Sequence, residues 1–157
     1  MTEPGAAVRC ATEADTLAFG ERLGTHVESG DLVLLSGQLG AGKTVLVRGI
    51  ATGMGIDPGA VRSPTFVLHH VYRAGERVLH HLDLYRLGPH ADIRLLDIDE
   101  MLESGGVVVV EWGEHADLLI ETRVRIAIDV EDDGDRVLTS ADVPDHLAPA
   151  WSGATDR

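Results

Sequence analysis

Apolar positions recur at helical spacing near the start of the chain and at strand spacing through most of the rest. Leu17, Phe19, Leu23 and Val27 form a stripe with a period near 3.6. Thr12-Glu13-Ala14-Asp15 stands just ahead of it with an acid three residues after the threonine, the form of a capping box, so a helix is predicted from there to about Ser29. Leu32-Val33-Leu34-Leu35 is a short apolar run that reads as a strand over 32–36, and Val45 to Met54 continues as a helix over 43–54 ended by Gly53 and Gly55. Residues 65–73 and 77–85 alternate as two strands around Ala74-Gly75-Glu76, a hairpin. Ile93 to Glu103 reads as a short acidic helix broken by Gly105-Gly106. Val107 to Val110 is an unbroken β-branched run, the mark of a strand buried on both faces. A helical segment over about 114–121 then leads to a hairpin pairing 123–130 with 135–141 across Asp133-Gly134. From Pro144 the pattern fades. The expectation is a single domain over 1–143 and a flexible tail over 144–157. Strands and helices alternate first and hairpins come later, which predicts an α/β fold with a mixed central sheet flanked by helices.

Between the first predicted strand and its helix lies Gly37-Gln38-Leu39-Gly40-Ala41-Gly42-Lys43-Thr44, a full match to the phosphate-loop pattern. Lys43 is the only lysine in the chain; every other basic side chain is arginine. A glycine-rich turn points its N–H groups inward as an anion nest, and the following helix aims its unpaired N–H groups at the same place. Gly37, Gly40 and Gly42 permit positive φ and close backbone approach, with Leu39 and Ala41 between them. In this pattern Lys43 bridges the β- and γ-phosphates of ATP and the Thr44 hydroxyl ligates Mg²⁺. The motif predicts a single-domain P-loop NTPase.

Composition narrows the partners. A formal charge of −13 argues against a nucleic-acid groove and against anionic membranes, since both need clustered cations. Cys10 is the only cysteine, which suits a reducing compartment. No signal-peptide pattern and no apolar run near 18 residues occur, so the expected location is the cytoplasm. Eight histidines are present, but no Cys/His spacing supports a metal site built from them.

A phosphate loop needs a carboxylate for Mg²⁺ or its waters, and two candidates stand out. Glu111 follows the Val107–Val110 run and so emerges at the carboxyl end of a buried strand. Asp83 shares one face of its strand with His81 and Tyr85; it serves either the phosphate site or a structural pair, for example with Arg86. Ser63-Pro64-Thr65 lies where a switch segment follows the first helix in many such proteins, and a hydroxyl there can reach the γ-phosphate or Mg²⁺; a plain turn is the alternative. Trp112 follows Glu111 at the mouth of the site, either shielding phosphates, stacking on a base or simply packing. His69, His70 and His80 read as ordinary strand histidines.

Taken together, Gly-x-Leu-Gly-Ala-Gly-Lys-Thr (37–44), Ser-Pro-Thr-Phe (63–66), His-x-Asp-Leu-Tyr-Arg-Leu (81–87) and Val-Glu-Trp (110–112) resemble the TsaE family, also known as the YjeE family. The resemblance runs from about residue 12 to about 141, with Gln38 standing where the family often has an acid. It implies a cytoplasmic ATPase needed for the threonylcarbamoyl modification of adenosine next to the anticodon, in tRNAs reading codons that begin with A. It further implies action on a TsaB–TsaD protein assembly rather than on tRNA, with ATP and Mg²⁺ as cofactors. Carried over by residue, the pattern implies Lys43, Asp83 and Glu111 in catalysis, with Mg²⁺ on Thr44 and Glu111 and Asp83 near the attacking water. It brings Glu13 and Arg136 to the adenine side; Thr65 and Trp112 are expected on the nucleotide from their positions in the chain.

Rival classes remain on the residues alone. A small-molecule kinase needs an acceptor pocket and an arginine-bearing lid, for which the acidic 92–104 segment is poorly suited. A GTPase is disfavoured because no Asn-Lys-x-Asp guanine reader exists. A nucleotide-sensing module without turnover is the non-enzyme alternative.

Overall fold

The computed structural model describes residues 5–88, 96–116 and 124–152. Its centre is one seven-stranded mixed sheet. The strands are β1 (Ala6–Cys10), β2 (Leu32–Ser36), β3 (His69–Ala74), β4 (Arg77–Asp83), β5 (Val107–Glu111), β6 (Val124–Val130) and β7 (Arg136–Ser140), in spatial order β1-β7-β6-β2-β5-β4-β3. The inner four, β6-β2-β5-β4, run parallel, and antiparallel strands close both edges. Helices α1 (Glu13–His26), α2 (Lys43–Gly53), α3 (Ile98–Glu103) and α4 (Ala148–Ser152) accompany the sheet, with 3-10 turns at Pro58–Ala60 and Gly113–Ala116.

The buried run behaves as its pattern predicts. Val107 and Val109 join a core with Phe19, Leu23, Leu46 and Ile50 under α1 and α2, while Val108 and Val110 join Leu32, Leu34, Leu82 and Leu84 on the opposite face. The register sets Leu35 and Asp83 on either side of Glu111, so β2, β4 and β5 end together.

Helix α1 begins where the capping box places it: the Thr12 side chain accepts from Asp15 N–H, and Asp15 accepts from the Thr12 backbone. Its contact with α2 is a seam of glycines. A Cβ on Gly20 or Gly24 would lie 2.7 Å from Leu46 O or 2.1 Å from Ile50 O, and one on Gly49 or Gly53 would lie 2.5 Å from Leu17 O or 2.2 Å from Glu21 O. Only glycine lets the two backbones approach this closely.

The structure departs from the sequence reading in several places. Strand β1 has no counterpart among the predicted elements; it pairs along its length with β7, burying Val8 and Cys10. The segment 65–68 is turn rather than strand, because Leu68 takes φ +72 and its N–H turns back to Pro64 O, so β3 starts only at His69. Residues 144–152 are not a flexible tail: α4 packs on α1, with Trp151 only 5% exposed and its ring edge-on to Phe19 at 4.8 Å. Arg22 Nε donates to Ala150 O, and His146 bonds Asp31 at 2.7 Å. The acidic helix is seen as α3 over Ile98–Glu103, with Asp97 ahead of it in the left-handed region, and a 3-10 turn covers Gly113–Ala116; residues 93–95 and 117–121 of the expected segments, and 153–157, lie outside the described residues.

Candidate functional site

The loop of residues 37–44 leaves β2 and enters α2, which starts at Lys43. Gly37, Gly40 and Gly42 all take positive φ, as the nest requires. Gly37 is further restricted by Ile128 O, which a Cβ would meet at 2.7 Å.

Lys43 is only 5% exposed. Its Nζ donates to Gly37 O at 2.6 Å and Gln38 O at 3.0 Å and lies 4.1 Å from the centre of the Trp112 ring. Burial pushes its pKa below the usual lysine range, against the opposing pull of Glu111, Glu114 and Asp83. The ammonium is thus held at the loop by two backbone carbonyls and the face of Trp112.

Thr44 donates its hydroxyl hydrogen to Glu111, 2.9 Å from Oε1 and 3.0 Å from Oε2. Glu111 is buried, as is Asp83 beside it. Asp83 accepts from the Thr65 hydroxyl at 2.9 Å and from Tyr85 N–H at 2.8 Å. The alternative pairing of Asp83 with Arg86 is not what forms: Arg86 bonds Phe66 O and stacks over the Phe66 ring at 5.5 Å. Thr65 shares a further bond of 2.7 Å with Ser63, so the 63–65 segment is tied to the strand end through Asp83.

These groups line one cavity of about 310 Å³, walled by Lys43, Thr44, Thr65, Asp83, Glu111 and Trp112 and bounded by Leu39, Gly40 and Gly42 of the loop. Trp112 takes φ +61, turning the chain sharply after β5, and its ring lies 5.0 Å from that of Tyr85. The remaining expected residues sit elsewhere. Ala41 is fully buried beneath the loop and Gly37 faces β6. Arg136 reaches the loop from outside the cavity, Nε to Ala41 O at 3.3 Å and Nη2 to Gly40 O at 3.2 Å, so its observed contact is with the loop backbone. Glu13 is exposed at the first turn of α1, three residues past Cys10, which pairs with Arg136.

One residue escapes a reading of the sequence. His81 is buried with its Nε2 2.5 Å from Glu111 Oε2. A signal for it is present, since it shares a strand face with Asp83, but nothing in the spacing alone ties it to Glu111.

Thr44, Glu111 and Asp83 offer hard oxygen donors, the kind Mg²⁺ prefers. Among the described residues no group of three or more His, Cys, Asp or Glu could cage a metal.

Such a loop at the carboxyl ends of parallel strands places the chain in the phosphate-loop class of α/β folds. The family model for "Threonylcarbamoyl adenosine biosynthesis protein TsaE" matches residues 10–138, and the chain belongs to the TsaE family. It is 46% identical over 137 residues to the tRNA threonylcarbamoyladenosine biosynthesis protein TsaE of Mycobacterium leprae, covering 76% of this chain and 83% of that one. It is 41% identical over 137 residues to the protein of the same name from Treponema pallidum, covering 85% of this chain and 100% of that one. Among solved structures, the crystal structure of Bacillus subtilus YdiB is similar with a TM-score of 0.74 at 27% identity, covering 99% of this chain and 96% of that one. The family role is in tRNA threonylcarbamoyladenosine biosynthesis. Among the described residues no helix is long and apolar enough to cross a membrane.

Proposed function

We propose that this chain is the ATP-binding and ATP-hydrolysing subunit of the threonylcarbamoyladenosine pathway, acting in the cytoplasm on a TsaB–TsaD assembly rather than on tRNA. The observation that carries the reading is the convergence of Lys43, Thr44, Asp83 and Glu111 on one cavity at the mouth of the glycine loop. The chemistry a bound Mg²⁺ would supply is positive charge against that developing on the transferred phosphoryl group. Thr44 and Glu111 are the residues to hold the ion. Lys43 would exchange its bonds to Gly37 O and Gln38 O for phosphate oxygens. Asp83 would accept from the attacking water once Thr65 is released from it. Trp112 narrows access and excludes bulk water around the lysine. The acidic charge of −13 suits a subunit that meets protein rather than RNA.

The test is a multiple-turnover phosphate-release assay on the chain alone and with the TsaB–TsaD pair, beside calorimetric ATP titration of wild type and Lys43→Ala. The expected result is tight binding by the wild type, loss of affinity in Lys43→Ala, and slow hydrolysis that rises on adding the pair. Equal ATP affinity in Lys43→Ala would sink the site assignment. Full turnover by the lone chain, unchanged by the pair, would favour an independent enzyme such as a kinase. Binding without turnover in any mixture would favour a nucleotide-sensing module.

A further inference from the structure

The Glu111 carboxylate has two donors, and they do different things. Thr44 lies almost equally far from both oxygens, 2.9 and 3.0 Å, so it does not choose between them. His81 does choose: Nε2 lies 2.5 Å from Oε2. The pairing of β4 with β5 explains the reach. His81 lies opposite Val109 and Asp83 opposite Glu111, so His81 and Glu111 share the face that carries α2. A carboxylate only accepts, so Nε2 carries the hydrogen of this bond.

Nδ1 has no hydrogen-bond partner among the described residues, although His81 is 0% exposed. A buried polar atom without a partner costs stability. Packing alone would be better served at this position by a leucine, as at Leu79 and Leu82 on the same strand. The imidazole is therefore retained for the bond it makes. The terminal torsion of a glutamate side chain is broad, so a carboxylate held by one evenly shared hydroxyl is free to turn.

We propose that His81 is the positioning residue of the Glu111 carboxylate: it pins Oε2 and so fixes which oxygen Glu111 presents beside Thr44. The proposal rests on the nucleotide–Mg²⁺ reading of the site. Outer partners that orient a metal-binding carboxylate typically change metal affinity by about 10–100-fold when removed.

The experiment measures ATP affinity by calorimetry over a Mg²⁺ titration, with an EDTA control, in wild type and three variants. His81→Leu removes the donor and keeps bulk. His81→Gln keeps an N–H at the reach of Nε2. His81→Asn carries the same amide on a shorter stem that does not reach Glu111. His81→Leu and His81→Asn should need about tenfold more Mg²⁺ for half the metal-dependent gain in affinity, and His81→Gln should stay within about threefold of wild type. Affinity in EDTA should be unchanged in all three, and thermal unfolding without nucleotide reports the fold separately. If the leucine variant does not fold, the contrast between Asn and Gln decides. Wild-type Mg²⁺ dependence in the Asn variant overturns the proposal, and so does a Gln variant as impaired as Asn. A wild type whose nucleotide binding ignores Mg²⁺ removes the metal reading itself, and this proposal with it.

Discussion

Gly24→Ala sets two physical effects against each other on one residue. In the interior of α1, alanine is favoured over glycine by about 1 kcal/mol of helix propensity. The seam opposes it. A Cβ at Gly24 would stand 2.1 Å from Ile50 O, 2.9 Å from Ile50 C and 3.0 Å from the Gly53 Cα, all backbone atoms that no rotamer change can move aside. Ordinary contact begins near 3.4 Å, so α1 and α2 must part locally by roughly 1 Å in an interior packed to crystal-like density. Overpacking of this kind costs about 1–3 kcal/mol, and the rigid partners here put it at the upper end. The net expectation is a loss of about 1–2 kcal/mol, or a fall in Tm of about 2–8 °C for a chain of this size. Calorimetric Tm and the urea midpoint measure it, with Ala18→Gly on the exposed face of the same helix reporting the propensity term alone. Gly20→Ala should add a functional symptom, because its clash with Leu46 O falls one turn from Lys43 and displaces the loop end of α2. A Gly24→Ala protein as stable as wild type, or more so, would refute the argument: the seam would then open without cost and propensity would decide.

Other outcomes follow from the site and the edges. Glu111→Gln and Asp83→Asn should keep ATP affinity within about tenfold while hydrolysis in the full assembly falls by about 100-fold or more; normal turnover in either assigns that residue a structural role. Trp151→Ala should cost about 3–5 kcal/mol through the cavity left on Phe19, whereas Trp151→Phe should cost far less, since the indole Nε1 is buried without a partner among the described residues. His69 and His80 bond ring to ring at 2.9 Å, and burial, with the neighbouring charges, holds both pKa values below the usual histidine range. Their contribution is therefore present above the ordinary pKa of about 6.5 and is lost as pH falls from there through the lowered values. Unfolding midpoints measured from pH 7.5 to 5 should fall more steeply for wild type than for a His69→Leu, His80→Leu double variant; parallel curves would exclude the pair as the source.

What the sequence discloses is local chemistry. The loop, the buried β5 and the acid at its end are each written in a few consecutive residues, and each lies where its pattern places it. Long-range partners are hidden. Ala6–Cys10 carries too short an alternation to read as a strand until β7 is set beside it. Leu147, Ala150 and Trp151 have helical spacing, but with so few residues only the groove over Phe19 gives that spacing meaning. The 65–68 segment alternates like a strand, yet the left-handed turn at Leu68 is a backbone choice that leucine does not advertise. His81 is visible as a neighbour of Asp83; its tie to Glu111 depends on the β4–β5 register, which no local pattern encodes.

The strand order also dictates a schedule for synthesis. Among the described strands, the phosphate-loop strand β2 pairs with β5 and β6, and β1 pairs with β7 near the other end of the chain. A nascent chain that has released roughly its first hundred residues therefore carries β1 and β2 without these sheet neighbours, and the glycine loop with no Glu111 to close it. Contacts so distant in sequence form late and slowly, after their loop entropy has been overcome. Until then the apolar β2, with its backbone groups unpaired, is the segment most open to pairing with another chain. Growth conditions that slow translation or saturate chaperones should therefore lower the soluble yield of this protein before they touch the activity of molecules that have folded.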